Sequence, residues 1–307
     1  MRNDEQAEAY EQLLERLSVQ SVRKHFDAYE DVAWDDPEFA IDPNDPRWEL
    51  PEWDELGGTD WYRSQPAPVR SRLGLYTIAT RMKIGWQFEN VLQRGLLAYV
   101  AKLPNGSPEF RYAHHEIIEE SQHTLMFQEF VNRSGCDIPV FPAWMRAGNV
   151  PVIASAGWFP EMFFLYVLSG EEPIDYVQRR MLRQQPNLHP LLRRISQIHV
   201  TEEARHVCFA RRYLLEHVPR LGPVRRAALR LQAPLIFAGT AALMLRPLPH
   251  LVRTFAIPRS VIRDAYSRNP AHHRLMADSL ANVRELCEQL GLLTPTALGV
   301  WRALGAA

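Results

Sequence analysis

Cysteine is scarce: Cys136, Cys208 and Cys287 are the three in 307 residues, and no two of them stand in a C-x-x-C spacing. That argues against a disulfide framework and a zinc ribbon and fits a reducing compartment, so a cytoplasmic protein is expected. Glycine is sparse at 15 residues, and the 23 prolines fall mostly between periodic segments, which favours long helices over a turn-rich sheet fold. Net charge is nearly absent as well. A formal balance of −1 gives no general attraction for nucleic acid or an acidic membrane surface, so no nucleic-acid partner is expected and a small-molecule substrate is the default. The opening residues, MRNDEQAEAYEQLLERL, have no apolar core of the kind a signal peptide needs. The longest apolar run, residues 231–245, covers 15 residues between Arg230 and Arg246 and is interrupted by Gln232, Pro234 and Thr240. That is short of a bilayer span, so it reads as a buried helix, with a contact to a membrane surface or a lipophilic substrate as the alternative.

What is present is a stripe of metal-ligand side chains. His199, Glu203 and His206 are spaced i, i+4, i+7, so on a helix they point the same way. Upstream, Glu120 and His123 repeat the Glu-x-x-His step. Residue frequencies give about 0.8 Glu-x-x-His matches per chain by chance, but only about 0.03 once a His four residues before the Glu is also required. Two helices each offering Glu-x-x-His, with one further Glu from each of two more, form the ligand set of ferritin-like dinuclear bundles.

Two further carboxylates are therefore sought. Glu89 lies within a periodic segment, 69–101, on a face shared with Met82, Gly85, Trp86, Leu92 and Leu96. A buried carboxylate there needs a partner, either a metal or a basic residue such as Arg81 or Arg94. Glu171 and Glu172 compete for the remaining place. Glu171 shares its stripe with Phe164, Val167, Ile174 and Gln178, the more apolar set, while Glu172 shares one with Leu165, Leu168, Asp175 and Arg179. Pro173 frees an upstream carbonyl and bends the helix without ending it. Glu116 and Glu119 flank Glu120; Glu119 is expected to rotate away, and His114 and His115 to be solvated.

The expected fold is an all-α, ferritin-like helical bundle with a dinuclear metal site in its core and extra helices at both ends. Residues 1–307 read as a single helical domain. An N-terminal helix over 5–29 and a Trp-rich arm occupy 1–68, the bundle core 69–218, and buttressing helices 219–307. Within the core, helices are expected over 69–101, from Pro108 to about 133 with Ser107 as N-cap, over 159–182 and over 186–218, with a Pro- and Gly-punctuated connection after Gly135. The acidic arm carries Trp34, Trp48, Trp53 and Trp61, which argue that it wraps against the bundle.

With these residues in hand, the chain resembles the non-haem di-iron arylamine N-oxygenases, the p-aminobenzoate N-oxygenase family, over about residues 70 to 215. Members carry Glu on one helix, Glu-x-x-His on the next, Glu on a third and His-x-x-x-Glu-x-x-His on a fourth. The matching positions here are Glu89; Glu120 with His123; Glu171 or Glu172; and His199 with Glu203 and His206. His199 is the addition that separates this pattern from the six-ligand ferritin and ribonucleotide reductase patterns. The oxygen and nitrogen donor set suits two iron ions, with manganese an option at one of them, and lacks the thiolates of structural zinc. The resemblance implies that O2 is co-substrate, that an external electron donor supplies the reduced state, and that a peroxo di-ferric state transfers oxygen to an amine nitrogen. Hydroxylation at carbon of a lipophilic substrate, or non-catalytic iron handling, are the alternatives. A homodimer stays open, and a peripheral membrane contact is the less favoured option.

Overall fold

The computed structural model describes residues 2–303, and among these the regular structure is helical with no strand. The long helices are α1 (Arg2–Arg23), α3 (Ala67–Val100), α4 (Pro108–Ser134), α5 (Ala143–Trp158), α6 (Pro160–Gln184), α7 (Pro190–His217) and α8 (Pro223–Leu245), with the single turn α2 (Asp60–Arg63) between the first two. Shorter helices close the chain: α9 (Pro249–Thr254), α10 (Arg259–Ile262), α11 (Pro270–Ser279), α12 (Ala281–Gln289) and α13 (Pro295–Ala303). The chain is an all-α ferritin-like bundle.

Prolines explain much of this punctuation. Pro108, Pro160, Pro190, Pro223, Pro249 and Pro270 each stand in the first turn of a helix, where the missing N–H has no intrahelical acceptor to serve. Gly135 ends α4 in the left-handed conformation, φ 64°, which a side chain would strain. One expectation needs correcting. The segment after Gly135 is not merely a connection, because Ala143–Trp158 is helical despite Gly148, Pro151 and Gly157. Pro151 removes one N–H from this helix, and its exposed position leaves the freed carbonyl near solvent. Pro173 sits inside α6 as expected, and Pro234 inside α8. The first helix ends at Arg23 and not near Tyr29, and 258–269 is the short α10 followed by a π-helical turn, Arg263–Ser267.

α3, α4, α6 and α7 form the bundle; α1 packs on α4 and α7, α5 on α3 and α6, and α8 on α6. Burial is layered along the bundle axis. One apolar cluster takes Tyr112 from α4 and Phe209 and Leu214 from α7; the other takes Met126 and Phe130 from α4 and Leu191 and Ile198 from α7. Between them, on the same helices, lie Glu116 to His123 and His199 to His206. The polar layer is thus capped above and below by hydrocarbon.

The Trp-rich arm is ordered, as its composition suggested. Trp34 and Trp48 are buried, and their indole N–H groups donate to the carbonyls of Ala28 (2.6 Å) and Asp42 (3.0 Å). Trp48 stacks on His189 with 4.0 Å between ring centroids, and His189 accepts from the Leu191 N–H at the start of α7. The arm meets α3 at Gly74, where an added Cβ would fall 1.8 Å from the Trp48 carbonyl oxygen. Backbone oxygen cannot swing aside as a side chain can. Gly74→Ala is expected to destabilise the protein by about 2–3 kcal/mol despite alanine's better helix propensity, and urea unfolding monitored by tryptophan fluorescence would measure it.

Candidate metal centre

Seven of the eight sequence-derived candidates converge. Glu89 comes from α3, Glu120 and His123 from α4, Glu171 from α6, and His199, Glu203 and His206 from α7, and all seven are buried. Four groups of three (Glu89, His123 and His199; Glu120, Glu203 and His206; Glu171, His199 and Glu203; Glu89, Glu120 and Glu171) each bring one donor atom per residue within 4.8 Å of the others. The groups share members, so they describe one continuous cluster. Glu172 does not join it. Its carboxylate accepts from Arg211 Nη1 (2.7 Å) and Asn282 Nδ2 (3.0 Å), so of the two it is Glu171 that stands in the cluster. Arg81, weighed as a partner for Glu89, pairs with Asp54 instead, at 3.4 Å.

The imidazoles are aimed. His123 and His206 turn Nδ1 inward, each 3.0 Å from a Glu120 oxygen and 3.2 Å from Glu203 Oε1. His199 turns Nε2 inward, 3.5 Å from Glu89 and 3.6 Å from Glu203. Each outer ring nitrogen has its own acceptor. His123 Nε2 donates to Glu202 Oε2 (2.9 Å), His206 Nε2 to Glu119 Oε2 (2.7 Å) and His199 Nδ1 to Gln178 Oε1 (2.9 Å). Such partners fix the tautomer that leaves the inner nitrogen a lone pair for a metal.

Glu119 is rotated away from the inner donor groups, as expected, but it is not solvated: it is buried and reaches across from α4 to the outer nitrogen of a histidine of α7. Glu202 makes the converse reach from α7 to His123 on α4. Arg205 Nη2 lies between the two carboxylates, 2.8 Å from Glu119 and 3.6 Å from Glu202. The signal was in the sequence as the doubled pair Glu119-Glu120 and Glu202-Glu203, each followed by His three residues after its second Glu. The N-terminal arm touches this outer layer too, because the Phe26 N–H donates to Glu202 Oε1 at 3.2 Å.

Without a cation the cluster divides its protons unevenly. Burial, then the charges of Glu120 and Glu203, raises the Glu89 carboxyl well above the usual range; burial and Glu203 do the same to Glu171. For Glu120, burial and Glu203 push upward, but the imidazoles of His206 and His123 prevail and hold it at about 2. His123 and His206 are raised because their carboxylate partners outweigh burial, whereas burial lowers His199 to about 4.

A metal pair fits this set. Glu89 Oε2, Glu171 Oε1, Glu203 Oε2 and His199 Nε2 are buried without a hydrogen-bond partner, and four carboxylates with three imidazoles supply the hard and borderline donors that iron takes.

The chain matches the family model described as p-aminobenzoate N-oxygenase AurF over residues 7–291. This chain belongs to the p-aminobenzoate N-oxygenase family. Uncharacterized proteins of Mycobacterium tuberculosis and Mycobacterium bovis are 42% identical to it over 293 residues, covering 95% of this chain and 86% of theirs. The family is one of di-iron oxygenases, and the match extends beyond the bundle into the arm and the C-terminal helices.

The outer carboxylates generate a prediction. Glu202→Gln is expected to weaken ferrous-ion binding by about tenfold to a hundredfold, while Glu172→Gln leaves it unchanged, as read by titration against a competing chelator. Because metal displaces protons from His123 and His206, whose affinity for protons is raised, binding should weaken as pH falls and keep strengthening as pH rises past the ordinary imidazole range.

Proposed function

We propose that this p-aminobenzoate N-oxygenase relative is a di-iron oxygenase that places oxygen on the nitrogen of a small, largely apolar amine, most naturally an arylamine. The observation that carries the reading is a cavity beside His199. Met82, Phe127, Ile174, Val177, Met181 and Leu192 line it, and the Phe127 ring lies 5.2 Å from the His199 ring. Gln178, which accepts from His199 Nδ1, belongs to the same wall. A bundle that only stored iron would have no use for an apolar chamber against its metal ligands.

The donor set on α3, α4, α6 and α7 would hold two iron ions, which supply reductive activation of O2. Everything else falls to the polypeptide. The apolar walls exclude water and select substrates that leave it readily. Ser196, one turn before His199, is buried with its hydroxyl unpartnered and faces the cavity, where it can accept an N–H and orient the amine. Arg81 is the charged residue of the lining, held at its edge by Asp54. The free space is about 70 Å³, less than the roughly 150 Å³ that holds a benzene ring, so Met82, Met181 and Met244 adjust to admit one.

The test is product analysis. Protein loaded with ferrous iron under anaerobic conditions is exposed to O2 with a panel of anilines, aminobenzoates and aliphatic amines, and the products are examined by mass spectrometry. Gain of oxygen on nitrogen supports the proposal. Gain on carbon would make it a hydroxylase, and iron oxidation indifferent to every organic compound would make it an iron-handling bundle. Ser196→Ala should raise KM for the favoured amine about tenfold, the loss of one hydrogen bond, with the metal content intact.

A further inference from the structure

The face built by α5 and α8 has no role in the chemistry above, and its composition is unlike that of the rest of the chain. Both helices pack on α6, and between them runs an apolar groove of about 450 Å³ floored by Met162 and Tyr166. On either side the outward residues are large and apolar: Trp144 is 75% exposed and Trp158 60% on α5, and Val224 81%, Leu231 60% and Leu235 51% on α8. Isolated exposed apolar residues are ordinary, but these five share one face.

The charge pattern is equally one-sided. Although the chain carries −1 overall, the stretch between Glu216 and Asp264 contains eight arginines and no acidic residue. α5 likewise has Arg146 as its one charged residue. Arg225 lines the groove and Arg146 stands exposed on α5, and neither α5 nor α8 offers a carboxylate to neutralise them.

We infer that the α5–α8 face is a docking surface for an anionic lipid bilayer, on which the protein rests peripherally. Tryptophan and leucine enter the headgroup layer, where amphipathic rings are favoured, and the arginines meet lipid phosphate. α8 lies along such a surface and does not cross it, because nearly half of its apolar span is buried against the bundle. A second copy of the chain is a poorer occupant: a two-fold contact would set these arginines against the same arginines. This inference extends to location and does not depend on which atom of the substrate is oxidised.

Flotation of the full chain with vesicles of phosphatidylcholine, alone or mixed with phosphatidylglycerol, tests it. The protein should float with the anionic vesicles, about tenfold less with the neutral ones, and be released by salt. Trp144→Ser combined with Leu231→Ser, and separately Arg146→Gln combined with Arg225→Gln, should each lower the bound fraction about tenfold or more with an unchanged melting temperature. Absence of flotation, or flotation that neither pair of substitutions alters, would overturn the inference. So would a chain that is dimeric in solution and made monomeric by the Trp144 and Leu231 changes, since the face would then belong to a second copy.

Discussion

Four carboxylates and three imidazoles occupy a layer of the bundle closed off from water on both sides, where an uncompensated ion is destabilised by several kcal/mol. Each helix of the bundle is shaped by the need to compensate them. α4 and α7 contribute most of the layer and also most of its hydrogen-bonded support, because each carries a second Glu that serves the histidine of the other. α6 supplies Gln178 as well as Glu171, so the helix that completes the donor set also orients His199. The arm reaches the same layer through the Phe26 N–H, which ties the ordering of a segment outside the four bundle helices to Glu202.

Much of this was legible before any coordinates. A stripe at i, i+4, i+7 can be read because helix geometry makes the three side chains of α7 neighbours whatever the helix packs against. Glu89 could be read because a carboxylate among Met82, Trp86 and Leu92 needs a reason to be there. The cross-bracing was harder, because it depends on the rotation of α4 relative to α7, which no single helix encodes. Judged on α4 alone, Glu119 pointed away from Glu120. In the bundle that same direction is where His206 arrives.

The remaining differences share a physical origin. Glu172 turns to Arg211 and Asn282, brought in from α7 and from α12. α5 escaped notice because local signals, two glycines and a proline within 16 residues, argue against a helix, and tertiary packing on α3 and α6 overrides them. The helix carries no charge apart from Arg146. Charge counted over the whole chain concealed the basic stretch from Glu216 to Asp264, since the acids that balance it lie elsewhere.

The reciprocal reach of Glu119 and Glu202 also bears on how tightly time, and not only affinity, governs the centre. An ion held there would lie against two imidazoles, His123 and His206, each pinned from behind by a carboxylate of the opposite helix. Parting the α4–α7 seam would expose the apolar layers on either side and break both braces together. Were metal to exchange through such an opening, a loaded centre would persist through many encounters with competing chelators.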